Sequence, residues 1–225
     1  MNSVLKRYLQ SKTTFGLWNA LWQVRRERNL RRVHHQSLKK VSSFLQTSSP
    51  VKLNVGCGPN LKIGWVNIDL FDSRADLQLD LREPWPFLDG TVSYIYSEHV
   101  FEHFDFRAEV PHFLAEAFRV LEPGGVFDVV VPDTETPLKA YGHPQASYWT
   151  TLAKRWHPDW CETQLDHINY HFRQEGEHKY AWDADTLART LKRAGFQDIR
   201  RREFNLEMDS KEREQGSLYM IASKP

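Results

Sequence analysis

The sequence predicts an α/β fold built on a mainly parallel sheet, on three observations. From Val51 onward, short apolar runs with strand character alternate with helical stretches. A glycine-bearing turn, Gly56-Cys57-Gly58, ends the first of those runs, and Asp69 and Asp80 end the next two. Alternating β and α units imply parallel strands joined by crossovers. A length of 225 residues suits one such domain with an extension rather than two domains. With 40% hydrophobic and 26% charged residues the chain can bury a sizeable core. No apolar run is long enough to span a bilayer. Two cysteines, Cys57 and Cys161, form no disulfide framework; with no recognisable signal peptide, a reducing cytoplasm is expected.

Residues 1–46 read as helical. Val4, Leu5, Tyr8 and Leu9 recur at helical spacing, as do Leu38, Val41, Phe44 and Leu45. Between them lies an aromatic stretch (Phe15, Leu17, Trp18, Leu21, Trp22), followed at once by Arg25, Arg26, Arg28, Arg31 and Arg32. The net charge of +1 hides an asymmetry: before Val51 only Glu27 opposes ten basic residues, so the remainder is acidic. A basic arm on an acidic body suits an anionic partner, or a solvated helix packed on its own domain. Its order of residues fits an amphipathic helix on the anionic inner face of a membrane, a helix that covers a pocket and, with less support, a transit segment. Thr47-Ser-Ser-Pro50 reads as a linker. The division expected is a helical extension over 1–50 and a main domain over 51–225, with an acceptor-recognition insertion near 137–180.

In the main domain, strands are expected at 51–55, 65–69, 76–80, 92–96 and 125–131, with helices at 107–121 and 184–194. Glu122-Pro-Gly-Gly125 stops the first helix and Gly195 the second. Two further runs, 197–204 and 217–223, suit an antiparallel hairpin at one edge.

Ligands of open α/β sheets bind outside the carboxyl ends of the strands, where Gly56-Cys57-Gly58-Pro59-Asn60, Asp69 and Asp80 stand in succession. Pro59 removes one backbone N–H, the third glycine of a dinucleotide fingerprint is replaced by Leu61, and no Lys-Ser/Thr pair makes a phosphate loop. The loop therefore suits a nucleoside without pyrophosphate. A carboxylate at 69 can accept from ribose hydroxyls, and one at 80 from an adenine amino group. Either aspartate alone reads equally as a helix cap or turn residue.

The stretches VKLNVGCGPNLKIGWVNIDL, LDLREPWPF, YIYSEHVFEHF and FRVLEPGGVFDVVVPD, in that order, resemble class I S-adenosylmethionine-dependent methyltransferases. The resemblance is closest to the small bacterial type 11 kind. It is strong over residues 51–135 and weaker over YAWDADTLARTLKRAGF and SLYMIASKP. It implies a Rossmann-like sheet with an antiparallel edge strand. It also implies S-adenosylmethionine as cofactor and S-adenosylhomocysteine as product. Gly56, Cys57 and Gly58, with Pro59 and Asn60, would line the methionine part; Asp69 and Leu70 would hold the ribose. Asp80 and Leu81 would face the adenine, and Ser97 the methyl-bearing sulfur.

One departure stands out: only Pro59–Gly64 separate the first two strands, whereas a parallel crossover takes a dozen or more residues. The usual first helix must shrink, and the basic arm is expected to fill the gap. His99 and His103 are the candidate general bases, because imidazole titrates near neutral pH and a helical segment would put both on one face; either also reads as a packing residue. Between Tyr148 and Tyr180 lie Trp149, Trp156, Trp160, Tyr170 and Phe172 with His157, His167, His171, His178 and Arg173. That composition suits an aromatic platform for a sugar or other ring-bearing acceptor, or a satellite core under a long loop. His167 and His171 have helical metal-ligand spacing, but no HExxH or cysteine pair supports a metal, and none is expected. The leading expectation is methyl transfer to a hydroxyl or amine of a small molecule or glycan. Alternatives are a nucleic-acid methyltransferase gripping phosphate with the arm and a cofactor-binding scaffold without catalysis.

Overall fold

The computed structural model describes residues 14–41 and 51–225. Its sheet has six strands: β1 (Val51–Val55), β2 (Val66–Ile68), β3 (Val92–Glu98), β4 (Leu121–Pro132), β5 (Gln197–Arg201) and β6 (Ser217–Ser223), in the order β2-β1-β3-β4-β6-β5. β2, β1, β3 and β4 are parallel; β6 runs antiparallel to β4 and to β5. The expected edge hairpin is thus the β5–β6 pair. The helices are α1 (Phe15–Leu38), α2 (Val110–Val120), α3 (Glu135–Ala140), α4 (Lys154–Trp156, continuing a π turn), α5 (Gln164–Arg173) and α6 (Ala184–Arg193). No helix among the described residues is long and apolar enough to cross a membrane.

Residues alternate between the two faces of each strand. Leu53, Val55, Ile95, Phe127 and Val129 join the main core, into which α2 sends Phe113, Leu114 and Ala117 and α6 sends Leu187 and Leu191. These follow the three- and four-residue spacing of a helix that buries one stripe. α6 begins where the Asp183 carboxylate accepts the Thr186 N–H and closes before Gly195, whose φ is 100°. The opposite face carries Tyr96, Val130 and Tyr219, packed on by Trp65, Tyr94, Phe204 and Met208.

Three expectations need correction. Residues 76–80 are not a strand: only Leu77 pairs, as a single bridge to Ile68. The reason is that the Asp76 carboxylate turns back to accept the Asn67 N–H, and Arg82 draws the Asp80 end away. The strand expected over 197–204 stops at Arg201, because Arg202 turns inward. Its guanidinium meets Asp128 (2.8 Å) and, through both terminal nitrogens, Asp209 (2.7 Å each). Tyr94 and Tyr96 donate their hydroxyls to the same two carboxylates. Burial pushes the Asp128 carboxyl up, while Arg202 opposes that shift.

The third correction concerns the missing crossover helix. Its place is taken by the β5–β6 loop. Asn60 Nδ2 donates to Ser210 Oγ at 2.8 Å, Lys62 reaches the Met208 carbonyl, and its ammonium lies 4.3 Å from the Tyr96 ring centre. The basic arm packs elsewhere, beside residues 70–82. There α1 buries Leu30, His34 and Ser37. Ser37 Oγ accepts the Gln78 N–H (2.9 Å), His34 Nδ1 accepts the Asp80 N–H (3.1 Å), and Glu27 pairs with Arg82. Helix over 15–38 agrees with the reading of the arm; Val4 to Leu9, Phe44, Leu45 and the 47–50 linker lie outside the described residues.

Candidate active site

The carboxyl edge of the sheet carries two neighbouring constellations. The first surrounds the turn after β1. Asn54 Nδ2, buried, donates both to the Asn60 carbonyl and to Asn67 Oδ1 (2.9 Å each), which ties the two ends of the turn to β2. Gly56 has φ +66°, and a Cβ there would lie 2.1 Å from a methyl of Val100, so this position admits no side chain. Gly58 has φ +47°, and a Cβ there would meet nothing. The space above it is open to a ligand. The Gly58 N–H donates to Asp69 Oδ2 at 2.9 Å, while the Phe71 and Asp72 N–H groups donate to Oδ1 at 2.8 Å each. A carboxylate offers about four lone-pair directions, so one remains on Oδ2 for a ribose hydroxyl. Asp80 is arranged likewise: Oδ1 accepts from the Arg82 N–H and Nε, and Oδ2 from the guanidinium, leaving one direction on Oδ2. Cys57 is buried; that burial, with Asp69 and Asp72 nearby, pushes its thiol up to about 12, so it packs as a neutral group. Open space over Gly58, flanked by two carboxylates each with a free direction, fits an adenosyl ligand. Ser97 stands apart from that arrangement. Its side chain is fully buried on the core face, and its hydroxyl has no partner among the described residues.

The second constellation is a cavity of about 220 Å³ at the ends of β3 and β4 and the start of β6. His99 stands at its inner wall, with Asp133 and Thr136 on one side and Arg213 and Ser217 on another. Tyr148, Trp156, His157, Tyr170, His171 and His178 come from the insertion. The insertion is held by local signals. Thr163 and Asp166 form a reciprocal cap at the start of α5, and a bridge between Asp133 and Trp182 closes its ends. His99 has φ 55°, a left-handed conformation that histidine adopts more readily than most residues but that still costs about 1–2 kcal/mol. Its Nε2 shares a 2.9 Å hydrogen bond with Ser217 Oγ. Burial, with Arg213 and His178 nearby, holds its ring well below the usual histidine range, so it is neutral. Burial likewise pulls His157, His171 and His178 down to about 4. An aromatic-walled cavity whose charged lining is one arginine and one aspartate suits a polar, ring-bearing guest.

The two expected bases part company here. The segment is a short 3-10 turn, Phe101–His103, rather than an α-helix. His99 lines the cavity, whereas His103 lies on the far side of Glu102, with its Nδ1 bonded to the Glu177 carbonyl. Glu102 itself was passed over in the sequence. It is 2% exposed, and burial pushes its carboxyl up to about 8. Its signal was the second Glu-His pair, Glu102-His103, which follows Glu98-His99 at a spacing of four residues. Arg213 and Ser217 had no signal, since they reach the cavity only because the β5–β6 loop folds back over the β1 turn. Of the metal-competent groupings, Glu102 stands with His103 and His178, and His157 with Cys161 and His167. His167 and His171, the pair singled out by spacing, do not share a grouping.

Residues 23–200 match the methyltransferase domain family. The chain belongs to that family. It is a class I S-adenosylmethionine-dependent methyltransferase, and S-adenosylmethionine is its cofactor. No curated protein matches the methyltransferase's sequence. Among solved structures it is similar to a SAM-dependent methyltransferase of Methanosarcina mazei, at 15% identity over 82% of this chain and 96% of that one, with a TM-score of 0.48. A Thermotoga maritima enzyme described as a possible histamine N-methyltransferase shares 14% identity over 91% and 96% of the two chains, TM-score 0.46. The phosphoethanolamine N-methyltransferase 2 of Haemonchus contortus, in complex with S-adenosyl-L-methionine, shares 13% identity over 85% of this chain and 52% of that one, TM-score 0.47. With these scores below 0.5, the methyltransferase's assignment stands on its match to the domain family.

Proposed function

We propose that the enzyme methylates a hydroxyl or amine on a ring-bearing small molecule or glycan seated in the cavity beside His99. The observation that carries this reading is the position of that cavity. It lies at the ends of β3 and β4, on the same carboxyl edge of the sheet as the β1 turn, and is walled by Tyr148, Trp156 and Tyr170. Bound at the turn, S-adenosylmethionine supplies an electrophilic methyl group. Gly56, Cys57, Gly58, Pro59 and Asn60 shape its methionine side, Asp69 and Leu70 its ribose side, and Asp80 and Leu81 its adenine. The aromatic walls orient the acceptor and exclude water, which accounts for much of the acceleration in a two-reactant displacement. His99 takes the acceptor's proton at Nε2, the nitrogen now shared with the Ser217 hydroxyl. In this reading Ser97 supports the floor without touching the donor, and His103 is not the base.

The exposed part of α1 favours a location at the anionic inner face of a membrane. Leu17, Leu21, Trp22 and Val24 are solvent-exposed and are followed by exposed arginines. Sedimentation with anionic vesicles checks that placement, and a mobility shift with RNA at low salt checks the nucleic-acid alternative. The enzymatic reading is tested by calorimetric titration with S-adenosylhomocysteine, followed by an acceptor screen with labelled donor. Micromolar binding that weakens about tenfold or more in Asp69→Ala, as loss of a charged hydrogen bond predicts, is the expected result. A folded wild type that binds no S-adenosylhomocysteine would overturn it.

A further inference from the structure

Beneath the cavity, the 3-10 turn places Glu102 where neither carboxylate oxygen accepts a hydrogen bond from any described residue. A buried, unpaired carboxylate is costly and needs a counterpart. What faces it is unusual. His103 Nε2 and His178 Nε2 each lie 4.0 Å from Glu102 Oε1, and His99 Nδ1 lies 3.7 Å from the same atom. These distances exceed hydrogen-bond length, so no proton on any of these groups bridges them well.

The tautomers sharpen the picture. His103 Nδ1 bonds the Glu177 carbonyl and His178 Nδ1 bonds the His171 carbonyl, at 3.0 Å each. A carbonyl accepts only, so both rings carry a hydrogen at Nδ1, and each ring in its neutral form turns its Nε2 lone pair towards Glu102. Two imidazole lone pairs and a carboxylate oxygen therefore converge on one point. All three donor atoms lie within 4.8 Å of one another. Like partial charges repel in this arrangement unless a proton or a metal cation sits among them. A histidine that holds a metal through one nitrogen and donates its other N–H to a backbone carbonyl is the usual outer support of metal centres. Two imidazoles and a carboxylate form a donor set that suits zinc or iron(II), not magnesium or calcium.

We propose that Glu102, His103 and His178 bind a divalent transition-metal ion of the zinc type. Zinc holds nitrogen and oxygen ligands at about 2.0–2.2 Å, which puts tetrahedral donors about 3.4 Å apart. From separations of 4.0 Å and at most 4.8 Å, each donor moves inward by about 0.3–0.7 Å to reach that geometry. His178 also lines the cavity, together with His99. The ion compensates the Glu102 charge, and it pins His178, one wall of the cavity, to the turn that follows β3. His157, Cys161 and His167 are the weaker grouping, because His157 and His167 already satisfy each other through a 2.9 Å hydrogen bond between their Nδ1 atoms.

The test uses the full chain, stripped with a chelator and titrated with cobalt(II), then with zinc. One equivalent of cobalt, with the visible absorption of a low-coordinate nitrogen–oxygen site and displaced by zinc, is expected. Loss of an outer-shell partner alone weakens metal affinity about 10–100-fold, so Glu102→Gln and His178→Ala weaken it at least that much. Cys161→Ser, His157→Ala and the exposed His35→Ala leave it unchanged. Glu102→Gln also removes the zinc-dependent rise in Tm. Should that variant not fold, His103→Asn and His178→Asn carry the same test. A wild type that takes up no cobalt or zinc overturns the proposal. So does uptake that survives Glu102→Gln, or uptake with thiolate charge-transfer absorption that Cys161→Ser abolishes.

Discussion

The two halves of the carboxyl edge are built in opposite ways. At the β1–β2 end, the site is made of backbone. Its working parts are a turn without side chains at 56 and 58 and two aspartates whose oxygens are largely held by nearby N–H groups and by Arg82. At the β3–β4 end, the site is made of side chains drawn from far apart in the chain: His99 from a strand end, Tyr148 to His178 from the insertion, Arg213 and Ser217 from the last loop. The first half can fit a ligand common to many enzymes, because backbone geometry is insensitive to sequence elsewhere. The second can be rewritten residue by residue without disturbing the sheet.

Four variants would break or sharpen that contrast. The largest effect is expected from His99→Ala. Loss of a positioned base lowers kcat by about 10²–10⁴, while affinity for S-adenosylhomocysteine, measured calorimetrically, is unchanged. A normal kcat would remove His99 from the chemistry. The two glycines come next. Gly56→Ala drives a Cβ into Val100 and forces a left-handed alanine, so stability falls by about 2–5 kcal/mol in denaturant melts. Gly58→Ala meets no neighbour, so it costs only the conformational term, about 1–2 kcal/mol, yet weakens the cofactor by filling its space. Equal stability losses at both positions would contradict the packing described here. The smallest effect belongs to α1. Ser37→Ala with His34→Ala removes two hydrogen bonds to residues 78 and 80, each worth about 1 kcal/mol. The double variant is expected to loosen S-adenosylhomocysteine binding several-fold through Asp80 while leaving the β1 turn intact. Unchanged affinity would show that the arm does not support the adenine side.

The same contrast explains how much was legible in the sequence. Gly56, Gly58 and Asp69 could be placed because each stands next to the end of β1 or β2, which its own neighbours specify, whereas Asp80 follows only the single bridge at Leu77. β1, β4 and α6 were readable from local periodicity, and the short gap after Asn60 correctly signalled a missing crossover helix. What replaced that helix was not readable, because Phe204, Met208 and Ser210 lie some 150 positions away from Asn60 and carry no local pattern. Glu102 escaped for a related reason. A glutamate beside a histidine reads as surface polarity until the fold brings His178 back against it. The collapse of 76–80 to one bridge was hidden too, since its apolar alternation is that of a strand and only the turned-back Asp76 and Asp80 undo it.

The way α1 meets residues 78 and 80 has a consequence for the molecule in solution. Leu77 turns its own N–H and C=O towards β2, so the N–H groups of Gln78 and Asp80 point outward, past the last strand of the sheet. Exposed donors in such a row invite strand-to-strand pairing between molecules. Ser37 and His34 occupy them with side chains, and a helix offers nothing for a further strand to continue. The arm therefore also closes the β2 edge of the sheet, where no further strand can pair through these donors.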